Sequence, residues 1–162
     1  MDLNPVDNYL HGSWEALAEG APMLVALAQL CNDAWVHRRG RAADPSKAIL
    51  LPEARAILFA ARARGVVEIR AVNSAFDAAS RLLAVYVEVD EERTIAFRDA
   101  SQPEVTLLFL EGFRNLCESG LVLHHIARDF TLSPQALQIA RQIDQQEVAE
   151  LLAKATEFGL HD

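Results

Sequence analysis

The order of signals between residues 101 and 143 sets the tightest limits on what this chain can fold into. Ser101-Gln102-Pro103-Glu104 has the spacing of a capping box, in which a hydroxyl and a carboxylate three residues on satisfy helix N–H groups reciprocally. The helix it opens is predicted to run to about Ser119. Val105, Leu107, Leu108, Phe109, Leu110, Phe113, Leu116 and Cys117 cover more than half its circumference. A helix that apolar belongs in the middle of a core or in a subunit interface. Gly120 closes it. Residues 121–125 and 130–132 then read as a small hairpin, and Ser133-Pro134 starts another helix, because Pro needs no donor at the first helical position.

That closing helix carries Leu137, Ala140, Ile143, Val148, Leu151, Leu152, Ala155 and Phe158 at helical spacing, apart from a five-residue step around Gln145-Gln146. The step predicts a bend or a split. At about 24 residues the segment is long for a lone cap and suits a dimerisation element.

Upstream, Ser13 is placed to cap a short helix from Trp14 to about Glu19, which Gly20 and Pro22 interrupt. A longer helix is predicted from Pro22 to Trp35, with Met23, Leu27, Leu30, Cys31 and Trp35 on its stripe. Pro52 starts a stronger helix, with Ala54, Ile57, Leu58 and Ala61 on one face and Gly65 as its stop. Residues 66–70 alternate as a short strand, and residues 75–80 read as one or two helical turns after Ser74. Leu83, Val85, Val87 and Val89 alternate along a strand that returns through a polar turn, 90–93, to Ile95 and Phe97. This is the best hairpin in the sequence, and its four-residue connection suits a type I-based loop. The fold class expected is α+β: mainly helical with one or two small antiparallel hairpins. Residues 1–162 are expected to form a single compact domain, its terminal helices available for oligomerisation.

Residues 109–141 resemble the end of a winged helix–turn–helix domain. The motifs are Leu116-Cys117-Glu118-Ser119-Gly120-Leu121-Val122-Leu123 and Asp129-Phe130-Thr131-Leu132-Ser133-Pro134-Gln135. In that superfamily a recognition helix ends in Gly, a two-stranded wing follows, and a Leu, small hydroxyl, Pro step begins another helix. The resemblance covers about a fifth of the chain and places Glu104, Glu111, Arg114 and Glu118 on or near the reading helix, net −2. DNA-reading helices offer Arg, Lys, Asn or Gln to base edges. The resemblance therefore implies a winged helix turned to protein contact, a use that superfamily membership alone does not assign.

Charge sharpens this. Residues 1–34 carry five acids and no Lys or Arg, residues 35–70 net +5, and the remaining 92 residues net −8. A nonspecific polyanion binder needs a broad positive face, and only one short segment here supplies positive charge. Nucleic-acid binding, as a winged-helix transcriptional regulator, is thus the alternative reading. It would require Arg38, Arg39 and Arg41 to line up with Arg62 or Arg64 beside an exposed helix. The preferred expectation is a non-enzymatic interaction or regulatory module, a homo-oligomer or the partner of another protein. Its interface would run through Leu107, Leu108 and Phe113 on the apolar helix, or through Leu151 and Leu152 on the terminal one.

Other chemistry has thinner support. His124, His125 and Asp129 form the only dense ionisable group containing His, but adjacent residues on a strand point to opposite faces, so no metal site is expected. Cys117 lies seven residues before His124, a spacing that leaves a small Cys/His hydrolase as a third class, without an orienting third group. The acids Asp90, Glu91 and Glu92 sit in a polar turn that solvates itself. The seven glycines are dispersed, so no phosphate-cradling loop and no cofactor are expected. The longest apolar runs, 105–110 and 82–87, fall far short of the roughly 20 residues that span a bilayer. The first residues lack the basic start and apolar run of a secretory signal, and two distant cysteines match no disulfide framework. A cytoplasmic protein with reduced thiols and no membrane partner is the simplest expectation.

Overall fold

The computed structural model describes residues 22–37, 49–73, 81–99 and 101–159. Within them lie five helices and six strands: α1 (Pro22–His37), α2 (Pro52–Ala61), β1 (Val66–Asn73), β2 (Arg81–Glu88), β3 (Arg93–Phe97), α3 (Pro103–Glu118), β4 (Val122–His124), β5 (Asp129–Leu132), α4 (Pro134–Gln142), α5 (Gln145–Leu152) and β6 (Thr156–Gly159). The helix predicted before Pro22, the turns predicted over 75–80 and the arginine-rich link at 38–41 lie outside the described residues.

The strands form one antiparallel sheet of order β4-β5-β1-β2-β3-β6. The architecture is α+β, but the expectation of a mainly helical fold with one or two small hairpins is overturned. Both predicted hairpins form, and β1 joins them into one sheet. β1 pairs with β2 along seven positions, Val67 opposite Val87 to Asn73 opposite Arg81, and with β5 through Val67 opposite Phe130. The pairing of β1 with β5 is non-local, and alternation within a strand does not reveal its distant partner.

Alternation does fix the faces. Val67, Ile69, Leu83, Val85, Val87, Phe97 and Phe130 are buried in the core that also holds apolar residues of all five helices. Ala84, Tyr86 and Ala96, the intervening positions, form a separate small cluster. Beside Tyr86, the Arg70 guanidinium lies 4.6 Å from the ring centroid, and Glu68 pairs with both Arg70 and Arg128. One face of the sheet is therefore apolar under helices, and the opposite face carries a small apolar cluster beside ion pairs.

Helix ends follow local chemistry. Asp99, not Ser101, prepares the start of α3: its Oδ1 accepts from the N–H groups of Ser101 (2.9 Å) and Gln102 (3.2 Å) and from the Ser101 hydroxyl (2.6 Å). The predicted capping box is replaced by this Asx turn. The far end of α3 closes as a Schellman motif. Gly120 takes φ 68°, its N–H reaches the Cys117 carbonyl, and Leu121 N–H reaches that of Leu116.

The terminal helix splits at the predicted step and ends at Leu152, short of the predicted length. Ile143 is extended (φ −73°, ψ 128°), and Asp144 caps a new helix by accepting from Gln146 N–H at 3.1 Å. Residues 156–159 then turn back to pair with β3, Phe158 opposite Thr94. Among the described residues no helix is long and apolar enough to cross a membrane.

Candidate interaction surface

At about 100° per residue, α3 separates cleanly into two faces. Val105, Phe109, Leu110, Phe113, Leu116 and Cys117 are buried. Phe109 meets Phe97 of β3 at a tilt with ring centroids 4.6 Å apart, and Phe113 meets Phe130 of β5 edge-to-face at 4.9 Å. These contacts bind the helix to the sheet. Phe113, expected at an interface, is fully buried within the chain and so is not available to a partner.

The other face is a stripe of Glu104, Leu107, Leu108, Glu111, Arg114, Asn115 and Glu118. Leu107 is 48% exposed and Leu108 52% exposed. Arg114 is bonded to Glu111 at 2.9 Å and Glu118 at 3.1 Å, so the C-terminal part of the stripe is ionic. The leucine pair sits between this ionic group and Glu104.

Asn115 extends the surface beyond the helix. Its Oδ1 accepts from Leu51 N–H at 2.9 Å and its Nδ2 donates to the Ile49 carbonyl at 3.3 Å, fixing the segment that leads into α2. Ile49 is 90% exposed and Leu51 is also exposed. Sequence reasoning missed Ile49, Leu51 and Asn115. The available signal was the run Ile49-Leu50-Leu51 directly before Pro52, since a residue preceding proline is held extended and outside the helix. Leu151 and Leu152, expected at an interface, are half-buried at the end of α5 and pack against the core.

The arginines of the nucleic-acid alternative divide in two. Arg38, Arg39 and Arg41 lie outside the described residues. Arg62 folds back on its own helix, its guanidinium 3.8 Å from the Phe59 ring centroid and donating to the Phe59 carbonyl at 2.7 Å. Arg64 pairs with Glu88 at 3.2 Å. Both are already engaged within the chain.

His124 and His125 are also engaged. The Nε2 of His124 is 2.8 Å from the Ala127 carbonyl, and that of His125 is 2.7 Å from the Thr131 hydroxyl. Among the described residues, no three His, Cys, Asp or Glu side chains group as metal ligands. Cys117 is fully buried, and burial, reinforced by a hydrogen bond with Cys31, pushes its thiol well above the ordinary range. A nucleophilic cysteine needs the opposite shift. No family model, curated protein or solved structure matches the chain.

Proposed function

We propose that the protein is a non-enzymatic interaction or regulatory module that self-associates through the exposed stripe of α3. The observation that carries this reading is the half-exposed Leu107–Leu108 pair on a helix whose opposite face is wholly buried. Scattered exposed leucines are ordinary, but two adjacent ones on a helix otherwise seated on the sheet, with Glu104 on one side and the Arg114 ion pairs on the other, make an apolar spot with a polar rim.

Opposite charges at the two ends of the leucine pair allow a second copy as the occupant. Glu104 and Arg114 lie on either side of the leucines. Two α3 helices packed antiparallel about a two-fold axis near residue 109 would set each Glu104 opposite the other copy's Arg114. A two-fold interface must be self-complementary in this way. The sequence resemblance of residues 109–141 to a winged helix, taken as a protein-contact variant, is compatible with this reading. The engagement of Arg62 with Phe59 and of Arg64 with Glu88 weighs against the DNA-binding alternative.

Sedimentation equilibrium on the whole chain and on a Leu107→Glu/Leu108→Glu variant tests the proposal. The expected result is an oligomer that becomes a monomer with unchanged helix content by circular dichroism. A wild-type chain that remains monomeric at high micromolar concentration would refute self-association. Steeply salt-dependent binding to duplex DNA by that monomer would favour the alternative.

A further inference from the structure

Cys31 and Cys117 are used by neither the fold's polar network nor the interaction surface, yet they meet. Cys31 lies on α1 and Cys117 on α3, two helices that pack together, and both thiols are free and buried in the same core cluster. Elsewhere α1 is held by Leu24 and Leu27, which occupy the same stripe as Cys31 at spacings of seven and four, while Met23, Trp35 and Val36 on its outer side are exposed. Among the described residues this stripe seats the helix on α3 and β4, and both cysteines lie in the core it enters.

We propose that Cys31 and Cys117 form a reversible disulfide, a redox-sensitive staple that locks α1 onto α3, with a low-molecular-weight disulfide of the glutathione class as oxidant. In the first step one cysteine loses its proton to solvent, and the thiolate attacks a sulfur of oxidised glutathione. A mixed disulfide forms and one glutathione thiolate leaves. In the second step the other cysteine, likewise deprotonated, attacks the protein-side sulfur and expels the second glutathione. Two protein thiols are oxidised to one disulfide, and one glutathione disulfide is reduced to two thiols.

Burial sets the kinetics. With α1 seated, both sulfurs are shielded from the oxidant and the Cys117 thiol holds its proton, so exchange waits on α1 lifting from the core. The rate should therefore rise in low urea, where local opening is more frequent. Once closed, the bond bridges a loop of roughly 90 residues and restricts the unfolded chain, which raises thermal stability.

The test treats the reduced, full-length protein with oxidised glutathione, with and without non-denaturing urea, followed by non-reducing digestion and mass spectrometry. The expected product joins the Cys31 and Cys117 peptides within one chain, 2 Da below the sum of the free thiols on the order of two hydrogens lost. It forms faster in urea, and Tm rises by about 5–10 °C. Glutathione adducts that persist on either cysteine, links only between chains, or thiols untouched even in urea would each overturn the proposal. The readout lies inside one chain, so it stands or falls separately from self-association, and the wild-type protein carries it without relying on a variant that must fold.

Discussion

Helices α2 and α3 differ in depth in a way that the size of their apolar side chains does not predict. Helix α2 is short and rich in alanine, yet Ala54, Ala56, Ile57, Leu58, Phe59, Ala60 and Ala61 are all buried. It packs against α3, α4, α5 and the sheet. Helix α3 carries more large apolar side chains and still leaves two leucines in water. Small side chains let neighbours approach α2 from every side, whereas the bulk of α3 is spent on one face only. A helix's burial is set by how many elements can come close, and the number of its apolar residues is a weaker guide.

The sharpest way to break this contrast is truncation at the centre of α2. Ile57→Ala should destabilise the fold by about 2–5 kcal/mol, because a fully buried side chain leaves a cavity that its neighbours fill only partly. Urea denaturation measures it. Next comes the crossing point of the two helices. A Cβ on Gly112 would lie 2.8 Å from the Ala54 nitrogen and from Glu53 Cβ. Two of the three nearest atoms are backbone and cannot rotate away, so Gly112→Ala should cost about 1–3 kcal/mol. A neutral Gly112→Ala would show that α2 does not approach α3 as closely as described.

Weaker effects sharpen the comparison. Arg55, one of the few polar groups on α2, donates from Nε and Nη2 to the two carboxylate oxygens of Glu147 on α5, the second bond at 3.1 Å. Both side chains are a third or more exposed, so solvent screens the pair. Glu147→Gln should lower Tm by no more than a few degrees. The same pairing holds the Glu147 carboxyl below its ordinary range, as the Arg93 guanidinium does for Asp90 and the Ser101 hydroxyl for Asp99. Groups depressed on folding stabilise the protein fully above their unfolded values, near pH 4, and lose that contribution as pH falls through the folded values. Thermal melts should thus be flat from neutral pH to about 5 and fall below about 4. Asp99→Asn should make the fall shallower. The smallest expected effect is Leu108→Ala on monomer stability, within about 0.5 kcal/mol, because this side chain is half in water already.

Much of the local structure was legible. The alternation of Val85 and Val87 with Phe97 and Ile95 identified the β2–β3 hairpin, and the observed register pairs Val85 with Phe97 and Val87 with Ile95. Gly65 and Gly120 marked stops because each stands at positive φ. The sheet's extent was hidden, since the β1–β5 pairing joins residues more than 60 positions apart. At the terminal helix, the five-residue step around Gln145-Gln146 announced the split that Asp144 caps, but the helical spacing of Ala155 and Phe158 masked the turn into β6.

The candidate surface was half visible. Helical periodicity placed Leu107 and Leu108 on an apolar helix, yet it cannot say which neighbours arrive to cover a given side. The bridge from Asn115 to Ile49 and Leu51 depends on a contact across more than 60 residues, which no local pattern encodes.

Hydroxyl-radical footprinting of the wild-type chain across a concentration series tests the central claim most directly. If the α3 stripe is a seam between copies, Leu107 and Leu108 should be oxidised readily at nanomolar concentration and become protected as the protein associates. Buried Phe113 should stay protected throughout. Equal oxidation of the two leucines at every concentration would contradict the account.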